Sequence, residues 1–298
     1  MKKIFLSAGI CLTVLSGYSS GHNDGGAIDF NNSGRKKYDA GDYKGAIVDY
    51  DKAIQIDSTF YEAYSNRGLA EASINEFDKA MTDYNKALAI NPKMSIAYNN
   101  RGLLKYKLGR LGEAIADYNT SISLNDNDAY PYNNRGLAEA GLGNDSDARK
   151  DYGKAIEINP NMALAYNNRG MLEYQARNFD NALKDFGQSI KLDPNHSSYY
   201  SNRGIVEYYQ GDTTNAMSDY NKAISLNPQN REAYNNRGLQ EYKMGRYKDA
   251  IADYDMAISM KQNDMIAYQN RALCKEAMGD KEGAEKDYAK YHELKGDK

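Results

Sequence analysis

Tryptophan is absent from this 298-residue chain, and proline, histidine and cysteine are scarce, at five, three and two copies. Each scarcity excludes something. Cys11 lies in an N-terminal apolar run, which leaves Cys274 alone in the remainder. No internal disulfide can then staple the mature chain, and packing must stabilise it. Cys274 sits among helical apolar residues and reads as a small core residue. His22, His196 and His292 are far apart, and no HExxH, Cys/His cluster or phosphate-cradling glycine loop occurs. Asp126-Asn127-Asp128 lacks the spaced ligands and distal Glu of a calcium loop and reads as a solvated turn. A catalytic centre, a metal and a cofactor are therefore not expected. A cationic excess is missing too: 38 Lys+Arg face 41 Asp+Glu, a net charge of −3. That balance offers no general attraction to nucleic-acid phosphates or anionic lipid.

Long hydrophobic runs are lacking except at the start, where Met1-Lys2-Lys3 precedes an apolar stretch from Ile4 to Leu15. That stretch is short for a membrane span and fits an export signal. Leu15-Ser16-Gly17 resembles the start of a bacterial lipoprotein lipobox, but Tyr18 stands where the lipid-accepting Cys belongs. Tyr18 cannot carry a thioether-linked lipid. An engineered Cys→Tyr change, ordinary cleavage nearby and an uncleaved anchor all remain open. The expected layout is a leader over 1–20, a linker over 21–26 and one array over 27–298. Its expected place is exported, in a bacterial periplasm or at an outer membrane, with membrane association only through the leader.

What the chain has in abundance is repetition. Arg67, Arg101, Arg135, Arg169, Arg203, Arg237 and Arg271 stand 34 residues apart. An Asp-aromatic pair keeps the same step, from Asp49-Tyr50 through Asp83, Asp117, Asp151, Asp185, Asp219 and Asp253 to Asp287-Tyr288. Eight units result: 27–60, 61–94, 95–128, 129–162, 163–196, 197–230, 231–264 and 265–298. Self-similarity at a fixed period signals stacked repeats. Each unit spells two helices. In the third, Tyr98, Leu104 and Leu108 share a helical face over 95–108, and Gly109 ends it as a left-handed residue can. Ala114, Ile115, Tyr118, Ile122 and Leu124 do the same over 111–124. Arg177 is the misfit in the glycine column. Asn-Pro or Asp-Pro closes several units, as at Asn91-Pro92, because proline cannot continue a helix.

Tyr64, Gly68, Ala80, Tyr84, Ala87 and Pro92, with their counterparts in later units, closely resemble the tetratricopeptide repeat (TPR) signature. The resemblance covers about nine-tenths of the chain. It implies an all-α, right-handed TPR superhelical solenoid of eight helix-turn-helix repeats, with the first helix of each pair lining a concave face. The ends behave as an array requires: apolar columns of the second helix end in Glu285 and His292, where no further repeat follows. Asp145 and Arg149 replace apolar residues in the fourth unit, which predicts a looser junction with the fifth.

The tyrosines near the start of the first helix, and Tyr50, Tyr84 and their kin in the second, match family core positions. Tyr106, Tyr174, Tyr208 and Tyr242 sit where the family's ligand-facing residues occur, and either touch a partner or pack. Two polar columns run together. One is Asn32, Asn66, Asn100, Asn134, Asn168, Asn202, Asn236 and Asn270. Beside it run Asn31, Ser65, Asn99, Asn133, Asn167, Ser201, Asn235 and Gln269. The resemblance places both columns toward the groove, similar to the Asn ladder in the TPR domain of O-linked N-acetylglucosamine transferase. An amide donates and accepts together, so it suits a peptide unit whatever its side chain. It suits equally well a bond between one helix and the next repeat, and both readings stand. The arginines and aspartates read as partly buried charge pairs, since a half-buried Arg without a carboxylate is costly. On this division Arg135→Ala lowers the melting temperature, whereas Asn134→Ala leaves it nearly unchanged but weakens ligand binding.

The chaperone-carboxylate clamps of the family use groove cations. Here those columns are Asn, Ser and aliphatic, which argues against carboxylate capture. The expected function is a non-enzymatic module of a cell envelope that binds a protein or an extended peptide, without nucleic acid. The rivals are a passive scaffold using convex or edge surfaces and a glycan-binding solenoid.

Overall fold

The computed structural model describes residues 25–296, so the leader, Tyr18 and the first part of the linker lie outside the described residues. Sixteen helices and no strand occur among these. The first helices of the pairs are α1 (Gly25–Asp39), α3 (Tyr61–Ser73), α5 (Ser95–Lys107), α7 (Ala129–Gly141), α9 (Ala163–Gln175), α11 (Ser197–Gln210), α13 (Arg231–Lys243) and α15 (Met265–Ala277). Their partners are α2 (Tyr43–Ile56), α4 (Phe77–Ile90), α6 (Leu111–Leu124), α8 (Asp145–Ile158), α10 (Phe179–Leu192), α12 (Thr213–Leu226), α14 (Tyr247–Met260) and α16 (Lys281–Lys295). None of the described helices is long and apolar enough to cross a membrane. The chain falls into two compact units, one ending at Pro160 and the other running from Asn161 to the C-terminus.

Local sequence sets each turn. At the end of α5 the Gly109 N–H bonds the Tyr106 carbonyl and the Arg110 N–H reaches back to Lys105, with Gly109 at φ 76°. Six glycines hold this left-handed place between paired helices, and Asn75 and Arg177 hold it at φ 64° and 61°. Asparagine visits that region readily; a long side chain such as Arg177 does so at a cost of about 1 kcal/mol. Second helices then start from side-chain caps where the sequence supplies them. Asp42, Asp212 and Asp280 accept from Gly45, Asn215 and Gly283.

Within each unit a first helix packs on its own second helix, and that one on the next first helix. Successive first helices also touch, whereas second helices touch only first helices. The first-helix side is thus the tighter side of each stack. Close approach inside a pair depends on one glycine. A Cβ at Gly102 would lie 2.8 Å from a Tyr118 ring carbon, and one at Gly136 2.8 Å from Tyr152. Glycine there lets the aromatic lie flat on the backbone.

The core is built from the second-helix aromatics, with Tyr50, Tyr84, Tyr118, Tyr152, Phe186, Tyr220 and Tyr254 all buried among alanines such as Ala114 and Ala138. On α16, Glu285 and His292 are exposed, in columns that are apolar in most earlier repeats. The Tyr118 hydroxyl is buried without a hydrogen-bond partner, as are those of Tyr50, Tyr84 and Tyr254. A buried hydroxyl that makes no bond loses its hydration for nothing. Phe186 fills the same place without one. Tyr118→Phe is therefore expected to keep or raise stability by up to about 1 kcal/mol, which thermal melting of the two proteins checks.

Candidate functional site

Five of the seven repeated arginines are held from three sides. Arg135 donates from Nε to Asp151 Oδ2 at 2.8 Å and from Nη2 to Oδ1 at 2.6 Å, joining α7 to α8. Its third arm, Nη1, donates to Asn119 Oδ1 of the preceding repeat at 2.6 Å. Its guanidinium lies 5.5 Å from the centre of the Tyr132 ring, one turn earlier on α7. Arg67, Arg101, Arg237 and Arg271 repeat the whole arrangement, with Asp51, Asn85, Asn221 and Asp255 taking the third arm. Arg169 and Arg203 keep the carboxylate fork to Asp185 and Asp219. The carboxylate bonds raise the pKa of these arginines further, against burial that works the other way. Stacking on the tyrosine and the bond to the preceding repeat do not follow from the Arg and Asp columns. An Asn or Asp two residues after each paired Asp was the signal for the latter. Gly153 and Gly187 interrupt that column, one repeat before Arg169 and Arg203.

The asparagines also meet one another. Asn134 Nδ2 donates to Asn99 Oδ1 at 3.0 Å, Asn66 to Asn31 at 3.1 Å and Asn202 to Asn167 at 2.8 Å, each bond crossing from one repeat to the one before. Within a repeat, Asn99, Asn133 and Asn167 donate to Asn100, Asn134 and Asn168. All of these, with Asn235, Asn236 and Asn270, are buried. The result is a zigzag of amides along the first-helix side of each stack. It breaks where serine replaces the acceptor. Asn236 Nδ2, which would reach Ser201, has no partner, and neither does Asn235 Oδ1. Asn235 instead donates to Asp264, which also accepts from Arg231.

Tyr106, Tyr174, Tyr208 and Tyr242 are half-buried. Tyr106 packs against the cluster of Ala114, Tyr118 and Ala138, and Tyr174 against that of Ala182, Phe186 and Val206. In the second unit they extend into an aromatic strip. Tyr209, 47% exposed, stacks on Phe179 with ring centres 6.1 Å apart and lies 5.7 Å from Tyr174. The Lys243 ammonium sits 4.0 Å from the centre of Tyr208. A cleft of about 190 Å³ opens there, lined by Tyr174, Gln175, Arg177, Phe179 and Tyr209. Tyr209 does not stand out in the repeat, because its column holds Asp, Ser, Lys, Gly, Gln and Ala elsewhere. Cys274 is buried. Among the described residues no group of His, Cys, Asp or Glu is placed to hold a metal ion.

Family models described as "TPR repeat" match residues 34–72, 68–109, 102–143 and 206–245. Those described as "Tetratricopeptide repeat" match 129–162, 163–196 and 232–264. The chain belongs to the tetratricopeptide repeat family. Among solved structures, a tetratricopeptide repeat protein from Parabacteroides merdae is 23% identical with a TM-score of 0.66, over 84% of this chain and 99% of the other. Pseudomonas aeruginosa pilF is 19% identical with a TM-score of 0.63, over 74% and 97%. A chain of the APC/C hetero-tetramer Cut9-Hcn1 is 17% identical with a TM-score of 0.72, over 86% of this chain and half of its own length. At these identities the likeness shows the fold. None of the curated proteins matches the chain. TPR arrays generally act as non-enzymatic scaffolds, and the fold makes this TPR chain a module for protein–protein contact.

Proposed function

We propose that this TPR protein is an exported, non-enzymatic component of a bacterial cell envelope that holds an extended segment of a partner protein against its first helices. The observation that carries the reading is the aromatic strip on α9 to α11, where Tyr174, Phe179, Tyr208 and Tyr209 offer ring faces beyond what the core needs. Rigid aromatic surface beside a cation is the composition that anchors a peptide at little entropic cost. Tyr106 and Tyr242 extend the contact surface in their own repeats. The buried asparagines space the helices. The signal-like leader supports export.

The test is capture of partner proteins from envelope extract by the wild-type chain and by Tyr208→Ser/Tyr209→Ser. A control carries Val48→Ser on the exposed side of α2. Loss of the same partner by the first variant alone, at unchanged helicity, is the expected result. Equal capture by all three chains would move the function to convex or edge surfaces.

A further inference from the structure

One column along the first helices changes its charge from repeat to repeat. It reads Lys37, Glu71, Lys105, Glu139, Glu173, Glu207, Glu241 and Lys275. In the first repeat Lys37 faces Asp49, which Ser33 also bonds; from the second repeat on, the column lies beside the aspartate that the arginine forks. Where the column holds lysine, the group is complete: Lys37, Lys105 and Lys275 approach Asp49, Asp117 and Asp287 at 2.6, 2.7 and 2.8 Å. Burial raises Asp49 and Asp287, and the bonds from these lysines and their neighbours overcome it and hold both below the ordinary aspartate value.

Where the column holds glutamate, a second acid is pressed against the first. In two repeats the turn relieves it: Asn144 and Asn178 donate to Glu139 and Glu173 at 2.6 and 2.8 Å. In three it does not. Glu76 and Asp212 occupy that turn position beside Glu71 and Glu207 and have only acceptors to offer. In the seventh repeat Arg246 leaves Glu241 Oε2 without a partner, as Oε2 of Glu71 and Glu207 also is. All three glutamates are more than nine-tenths buried. The arginines beside them spend Nε and Nη2 on the aspartates, Arg67 on Asp83, Arg203 on Asp219 and Arg237 on Asp253, and Arg203 Nε comes only within 3.7 Å of Glu207 Oε1, beyond hydrogen-bond distance.

We propose that the carboxyl pairs Glu71–Asp83, Glu207–Asp219 and Glu241–Asp253 each keep one proton in the folded array, so that the second, sixth and seventh repeats tighten in mild acid and loosen as the pH rises past neutrality. The groups that face each glutamate are unequal in sign. Glu71 meets Asp83 and Glu76 against Arg67 and Lys79. Glu207 meets Asp219 and Asp212 against Arg203, and Glu241 meets Asp253 and Asp249 against Arg237. Burial first, and the adjacent aspartate second, push Glu71 up to about 8 and Glu207 and Glu241 up to about 7, from an ordinary value of 4.5. Burial raises Asp253 as well, so in the seventh repeat the proton belongs to the Glu241–Asp253 pair. The folded chain then binds protons that the unfolded chain has already released. Stability from this source is complete below pH 4.5 and is lost as the pH climbs through 7 to 8.

The experiment compares melting temperatures from pH 5 to 8 for the wild type, for Glu71→Gln/Glu207→Gln/Glu241→Gln, and for the same three positions changed to Lys. The wild type is expected to lose several degrees across that range. The Gln variant should lose distinctly less, and the Lys variant, which copies the Lys105 arrangement, should melt above the wild type at pH 8. Subtracting one profile from another cancels the contributions of groups outside the three pairs. A Gln variant with the same pH slope as the wild type overturns the proposal, as does a Lys variant that melts below the wild type at pH 8. If either variant fails to fold, carboxyl-carbon NMR titration of the wild-type protein decides. Three glutamates that titrate near neutrality support the shared protons, and none titrating above pH 5 refutes them.

Discussion

Arg135→Ala is expected to cost about 3 kcal/mol and to melt the fourth repeat ahead of its neighbours. Truncation removes two bonds to Asp151, one to Asn119 and the cover over Tyr132 in a single step. Most of the loss comes from what is left behind. The Asp151 carboxylate keeps only 8% of its side-chain exposure and would have no cation in its fork. Desolvated charge without a partner is the expensive state, whereas the pair itself contributes little net. The 23% exposure of Arg135 and the cleft of about 260 Å³ beside it, which Lys150 also lines, keep the cost at the lower end of the range for buried pairs. A double change therefore discriminates. Arg135→Met/Asp151→Leu removes both charges and should recover most of the stability, while Arg135→Lys recovers little, because one ammonium cannot match the fork. Denaturant unfolding, followed by hydrogen exchange in 129–162, measures both. A double variant as unstable as Arg135→Ala would place the cost in the Tyr132 and Asn119 contacts instead.

The architecture was legible because every repeat restates it. Period, helix pairs and left-handed glycines are local properties of 34 residues, and eight restatements remove the ambiguity of one. Arg135 and Asp151 could be paired from their shared step, since a charge that recurs with its opposite in a half-buried place has few other uses. Less legible was anything decided by one repeat alone. Tyr209 belongs to a column without a consistent residue, and its ring contacts with Phe179 depend on α10 starting one turn away. The alternation of Lys and Glu opposite the paired aspartates was present in the chain. Its meaning, however, depends on which turn residue can donate, and so on a position five residues further on. The asparagine columns could not be resolved from periodicity for a deeper reason. A bond between neighbouring repeats and a row of contacts to an extended peptide have the same period, and only the direction and burial of the amides tell them apart.

That distinction gives the second large effect. Asn134→Ala is expected to destabilise by about 1–3 kcal/mol, rather than leaving stability unchanged as the groove reading alone would have it. Asn134 donates across the repeat boundary to Asn99 and accepts from Asn133, and the two acceptor–donor partners are fully buried. Alanine leaves the Asn99 oxygen and an Asn133 hydrogen without those bonds, in a place water does not reach. Asn236 provides the comparison within the same protein. Ser201 stands where its acceptor would be and its Nδ2 is already unpartnered, so Asn236→Ala forfeits less and should melt closer to the wild type. Asn236 is buried like Asn134, so binding of the partner segment should weaken in either variant only as far as its repeat unfolds. If Asn134→Ala melts like the wild type yet no longer binds, the amides of Asn99 and Asn134 serve the ligand and not the stack.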